Sequence, residues 1–150
     1  MQLNGENLLM DSDVSDLIQN DAMCRVYIRH AYQYAQSYSE DPSTQLGAIL
    51  VQPSKGIIGW GVNGLPPRIS NKEERWERPQ KYDYVEHAER NVIYKAASRG
   101  VNVSNMHLYC PFISCPNCAK AIVSSGITKV VGHLDIMEKI PKRWQEKCQT

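Results

Sequence analysis

Two short groups of residues in this chain have the types and spacing to do chemistry together. One is His87-Ala88-Glu89 and the other is Cys115-Pro116-Asn117-Cys118. Cysteines three apart on the first turn of a helix project to one side. The positive helix end also favours the thiolate, which is the form that binds metal. One imidazole brings the count to three N/S ligands, which suits tetrahedral zinc with a fourth position left for water. Two thiolates neutralise the formal charge of the ion, so binding is tight while water there still becomes acidic near neutral pH. Glu89 stands two positions beyond His87 and is directed differently, toward that water and not the metal. A carboxylate so placed can take a proton from water and return it to a ring nitrogen and then to a leaving amine. That chemistry is hydrolytic deamination of an amino-substituted base.

Other chemistries compete for the same residues. A redox dithiol would use Cys115 and Cys118 but leave His87 and Glu89 idle. A closed structural zinc site would need a fourth ligand, which Cys110, Cys24, Cys148 or another histidine could supply. A zinc fold kept only as a binding module would have no need of the Glu89 carboxylate.

The elements that must position these groups follow from periodicity and breakers. Met23, Val26, Tyr27, His30, Ala31 and Tyr34 recur at helical steps from Asp21, and Ser39-Glu40-Asp41-Pro42 ends that helix. Leu46 to Val51 and Gly56 to Val62 read as strands joined by the turn Pro53 to Gly56. Asn63-Gly64-Leu65-Pro66-Pro67 breaks the sheet, and Arg68 to Asp83, with Trp76 in its middle, reads as one long charged loop. A second helix spans Glu86 to Ser98 on the stripe Ala88, Val92, Ala96, with Gly100 just past its end. Met106 to Cys110 is a strand stopped by Pro111, Pro116 to Ser125 a helix closed by Gly126, and Lys129 to Gly132 a strand. A last helix is expected over Glu138 to Cys148. The order α-β-β-α-β-α-β predicts an α/β fold, a three-layer α/β/α sandwich about a mixed sheet of four to five strands. Residues 1–19 read as an N-terminal extension and 20–150 as a single domain.

Composition narrows the partners. In 150 residues, 17 Lys+Arg face 16 Asp+Glu for a net charge of +1, so no basic excess exists for coating a polynucleotide or an anionic membrane. No apolar run approaches the ~18 residues of a bilayer span, and the acidic start lacks the basic region of a signal peptide. Five cysteines, an odd number without a secretory signal, do not form a disulfide framework. A cytoplasmic location is expected.

On these residues the chain resembles the cytidine/deoxycytidylate deaminase superfamily, and most of all the deoxycytidylate (dCMP) deaminases. The resemblance runs from about residue 20 to 133. It is carried by the segment Ser39 to Ala48, by Gly61-Val62-Asn63-Gly64-Leu65-Pro66, by Lys81 to Glu89, and by Leu108-Tyr109 leading to Cys115 through Ile122. The paired H-x-E and C-x-x-C motifs define zinc-dependent base deaminases. The resemblance implies that His87, Cys115 and Cys118 hold Zn2+, that Glu89 is the catalytic proton carrier, and that Asn63, the backbone of Ala88, and Tyr84 with Tyr82 contact the substrate. It also implies dCMP as substrate in pyrimidine nucleotide metabolism, dCTP and dTTP as effectors with Mg2+ accompanying the nucleotide, and a homo-oligomer such as a hexamer. Arg68, Lys72, Arg75 and Arg78 are the loop cations from which a phosphate ligand would come. Three positions depart from the family pattern. Ser114 replaces the usual proline before the first cysteine, Pro111 a small residue, and Val62 a tyrosine of the regulatory segment. A deaminase of tRNA adenosine or single-stranded nucleic acid shares the zinc and the glutamate. For that reading Lys139, Lys142, Arg143 and Lys147 supply the one candidate basic track.

Overall fold

The structure is a computed structural model that describes residues 14–133 and residue 142. Its frame is a mixed sheet of four strands among the described residues, in the order β2-β1-β3-β4. Strands β1 (Gly47–Gln52) and β2 (Gly56–Val62) form the expected antiparallel hairpin, in register from Gly47 opposite Val62 to Gln52 opposite Gly56. Gly56 takes a φ of +86°, a conformation that a β-branched residue could not hold in that turn. Strand β1 reads as a continuous apolar run because helices cover both of its faces. Ala48 and Leu50 belong to the core under α3 (Ala88–Ser98) and α4 (Pro116–Ser124). Ile49 and Val51 pack instead with Ile28 and Ala31 of α1 (Val14–Tyr38). Ile49, Leu50 and Leu108 are fully buried, each contributing about 1.5–3 kcal/mol relative to exposure.

Strand β3 (His107–Tyr109) runs antiparallel to β1 and parallel to β4 (Lys129–Val131). A parallel pair needs a crossover, and α4 supplies it. Helix α3 ends in a Schellman arrangement. The Val101 amide donates to the Ala96 carbonyl, the Gly100 amide donates to Ala97, and Gly100 takes a φ of +68°. Gly126, with φ +80°, closes α4 in the same left-handed conformation.

The structure revises two of the sequence expectations and leaves a third outside the residues it describes. Helix α1 begins at Val14 and not Asp21, so it runs through the boundary expected at residue 20. No glycine or proline lies between Val14 and Asp21, and a helix nucleated downstream propagates through such residues. The stretch from Arg68 to Asp83 is not one unbroken loop. It holds a 3-10 turn, Glu73–Trp76, and the start of a short helix, α2 (Lys81–Tyr84). The helix expected over Glu138 to Cys148 falls outside the described residues except at Lys142. No helix among the described residues is long and apolar enough to cross a membrane.

Candidate metal centre and active-site cavity

Two helix N-termini converge to build the site. His87 is the N-cap residue of α3 and Cys115 that of α4, both with extended backbone, while Cys118 lies on the first turn of α4 behind Pro116. Proline suits this position because a helix has no partner for its first amides. Gly61 lets α3 approach the sheet: a Cβ there would lie 2.5 Å from the Ala88 carbonyl oxygen and 2.6 Å from the Val92 nitrogen. Asn91 fixes the same helix by donating from its buried amide to the Val62 carbonyl at 2.7 Å.

The geometry of the triad fits zinc. His87 Nδ1 lies 3.5 Å from Cys115 Sγ and 3.4 Å from Cys118 Sγ, and the three ligand atoms all fall within 4.8 Å of one another. Zinc bonded to sulfur at about 2.3 Å and to nitrogen at about 2.0 Å, at tetrahedral angles, sets nitrogen and sulfur roughly 3.5 Å apart. The short contacts therefore have the length of ligand-to-ligand edges around one ion. No other cluster of metal-ligating side chains occurs among the described residues.

The electrostatics of the triad point the same way. A hydrogen bond from Cys118, opposed by burial and aided by His87, drives the Cys115 thiol down to about 3. Cys118 is pushed up because it is the donor to that thiolate and is itself buried. The Cys115 thiolate in turn raises His87.

Glu89 is 4% exposed and lies beside the triad. Burial pushes its carboxyl up, against the pull of its own backbone amide, of His87 and of the Ser114 hydroxyl. A carboxyl moved toward neutrality is better matched to carrying protons than one at the ordinary value. The cavity around it has a volume of about 480 Å³, within the range of small-molecule sites. Leu46, Val85, Phe112 and Ile113 give it apolar walls; Arg78, Tyr82, Arg90 and Asn117 also line it.

The remaining expected contacts divide. Ala88 opens α3 with its side chain fully buried in the core, so only its first-turn amide is left as a donor. Asn63 does border the cavity, but its amide is saturated by the protein. Nδ2 donates to Asp41 Oδ2 at 2.8 Å and to the Thr44 carbonyl at 2.6 Å. Oδ1 accepts from the Leu46 amide at 2.8 Å and from Ser39 Oγ at 2.9 Å. Tyr84 turns away from the cavity into a separate, more open groove with Lys72, Glu74, Arg75, Gln80 and Asp83, where the Arg75 guanidinium lies over its ring; Tyr82 borders the cavity in its place. Side chains two positions apart on a helical turn point to different sides, so α2 sends the two tyrosines to different spaces.

The sequence reading missed a buried ion pair in the cavity lining. Lys81 is 7% exposed and Asp41 1%; the ammonium lies 2.6 Å from Asp41 Oδ2 and 2.7 Å from both Asp41 Oδ1 and Ser43 Oγ. The same carboxylate caps the turn after α1, accepting from the amides of Ser43 and Thr44. Burial opposes the ionisation of Asp41, yet Lys81 and Ser43 hold its carboxyl below the usual value. The partners lie 40 residues apart, and the only local signal was the Ser39-Glu40-Asp41-Pro42 break.

Comparison with known proteins agrees with this geometry. The profile of the cytidine and deoxycytidylate deaminase zinc-binding region matches residues 23–134. A protein of Aliivibrio fischeri described as an uncharacterized deaminase in the luxG 3' region is 34% identical over 130 residues, 85% of each chain. The deoxycytidylate deaminase of Mus musculus is 37% identical over 99 residues, 62% of this chain and 54% of that one, so the chain spans about half the length of that relative. The crystal structure of dCMP deaminase from the cyanophage S-TIM5, in complex with dCMP and dUMP, superposes with a TM-score of 0.63 at 25% identity, covering 79% of this chain and 91% of that one. With a profile matched over most of its length and a His/Cys/Cys triad at zinc-binding spacing, this chain belongs to the cytidine and deoxycytidylate deaminase family of zinc-dependent hydrolases.

Proposed function

We propose that the chain hydrolyses the 4-amino group of dCMP, giving dUMP and ammonia. The observation that carries the reaction is the buried Glu89 carboxylate, which lines a cavity of about 480 Å³ together with His87 and Cys115 of the His87/Cys115/Cys118 triad. Similarity to deoxycytidylate deaminases supports the choice of dCMP. Zinc held by the triad supplies a Lewis acid that brings the pKa of water toward neutrality. Glu89 takes a proton from the water that adds to C4 of the ring and places it on the adjacent ring nitrogen. The same carboxylate then moves the second proton to the amine; the C4–N bond breaks, ammonia leaves, and the carbonyl of the uracil ring remains. The Ala88 amide is the donor for the pyrimidine 2-carbonyl. The apolar walls exclude bulk water from the carbon under attack.

The test is Glu89→Gln, which keeps the side-chain shape and removes the proton carrier. Ammonia release from dCMP should fall by roughly 10²–10⁴-fold, with zinc retained at one per chain by metal analysis. Near-normal turnover would overturn the mechanism. A panel of dCMP, dCTP, CMP, deoxycytidine and an oligonucleotide tests the substrate, and a preference for the oligonucleotide would overturn it. The homo-oligomeric state and control by dCTP or dTTP belong to the same reading. Sedimentation, and the panel repeated with each effector, test them.

A further inference from the structure

Three cationic side chains line the catalytic cavity: Arg78, Lys81 and Arg90. Two are committed to carboxylates. Lys81 is buried against Asp41, and Arg90 Nε lies 2.7 Å from Oε2 of Glu86, four residues earlier and just before the helix. Arg78 is exposed at the rim and has no ionic or hydrogen-bond partner among the described residues. The other cations of the same loop point elsewhere. Lys72 and Arg75 line the separate groove, with Arg75 also donating to Ser70, and Arg68 lines neither space. The cavity carboxylates are equally accounted for, Asp41 by Lys81 and Glu89 by its place beside the triad.

We propose that Arg78 binds the 5′-phosphate of the substrate and makes the cavity select a nucleoside monophosphate over the free nucleoside. This rests on the reading of the site as a cytosine nucleotide deaminase. A phosphate monoester is close to a dianion at neutral pH. A guanidinium offers it two parallel N–H donors without itself losing charge. The apolar and metal-bearing walls take the base, so the charged end of the nucleotide must reach the rim, where Arg78 is the unpaired cation. Tyr82 and Asn117 share that cavity lining and can donate to further phosphate oxygens. One free guanidinium matches one phosphate group.

The test compares competitive inhibition of the zinc-loaded enzyme by dUMP and by deoxyuridine, product forms that differ only in the phosphate. In the parent protein dUMP should inhibit far better. Arg78→Gln should cut that preference by roughly 10- to 100-fold, the scale of a charge-assisted hydrogen bond, and raise KM for dCMP. Arg78→Lys should restore part of the preference, which a merely structural residue would not show. Lys72→Gln, on the same loop but facing the separate groove, should leave it unchanged. If the parent enzyme prefers dUMP and Arg78→Gln retains the full preference, this inference alone fails. If the parent enzyme does not deaminate dCMP, the substrate reading fails and takes this assignment with it.

Discussion

Gly61→Ala offers a sharp test of how the fold holds the catalytic groups. Gly61 does not have a positive φ, so alanine is not strained by backbone conformation and the whole effect comes from one methyl group. That methyl would sit 2.5 Å from the Ala88 carbonyl oxygen, 2.6 Å from the Val92 nitrogen and 3.0 Å from Val92 Cβ. Residues 88 and 92 are one helical hydrogen bond apart, so the clash falls on the first turn of α3, between His87 and the rest of the helix. Ordinary carbon–oxygen contact is about 3.3–3.6 Å, which requires helix and strand to part by roughly 1 Å. Overpacking of this kind costs about 1–3 kcal/mol, a fall in Tm of a few to about 12 °C for a chain of this size. The same displacement moves His87 and Glu89 relative to Cys115 and Cys118, which ride on the other helix. A misplacement of about 1 Å can lower rate by roughly 100-fold. Gly47→Ala is the matched control, because its methyl would strike the Ala31 carbonyl of α1 on the opposite face of the sheet. Assayed below both melting transitions, Gly61→Ala should lose about two orders of magnitude in kcat/KM and bind zinc more weakly. Gly47→Ala should be destabilised yet stay within a few-fold of the parent. Near-parental activity and Tm in Gly61→Ala would refute the claim that the close approach of β2 and α3 sets the site.

Three further predictions concern the polar network around Asp41. Asp41→Asn leaves the Lys81 ammonium buried without a counter-charge and should cost about 3–5 kcal/mol, read by urea unfolding; Asp41→Asn with Lys81→Met should recover much of it. Because Asp41 is depressed below its ordinary value of 3.8, its stabilisation is complete above about pH 4. It is lost as pH falls through the native pKa, so the parent should lose stability faster than the double variant below pH 4, and parallel curves would contradict this. Asn63→Asp replaces the two donated bonds to Asp41 and Thr44 with carboxylate repulsion and should cost at least about 3 kcal/mol. A change in KM with unaltered unfolding would show instead that Asn63 meets the substrate directly.

Local chemistry made the metal centre legible in the sequence. A helix start announces itself through proline, a following apolar stripe and a glycine past the far end. His87, Cys115 and Cys118 all lie at such starts, so their convergence needed only that two helices pack on one face of the sheet. The strands of the hairpin, the ends of α3 and α4 at Gly100 and Gly126, and the order of the layers followed from the same signals. The unread parts depend on which side of a short element faces inward. Tyr82 and Tyr84 are equivalent by composition, and only the direction of α2, set by the buried Lys81, separates them. The start of α1 was misplaced for a different reason: amphipathic spacing marks where a helix packs, not where it begins.

Asn63 shows how a motif residue that borders the site can also be bound into the fold. Asn-Gly after a strand is good turn chemistry and also a plausible ligand contact, and nothing within a few residues decides between them. The structural partners are distant in sequence: Ser39, Asp41, Thr44 and Leu46, 17 to 24 residues upstream, meet all four hydrogen-bonding positions of the amide. Through Asp41 the network continues to Lys81, whose short helix leads directly into His87 and Glu89. The end of α1, the end of β2 and the approach to the catalytic helix are therefore tied at one buried carboxylate that lines the same cavity as His87 and Cys115. Breaking that knot should loosen the site as a whole, whereas removing Arg78 at the rim should change only what the site selects.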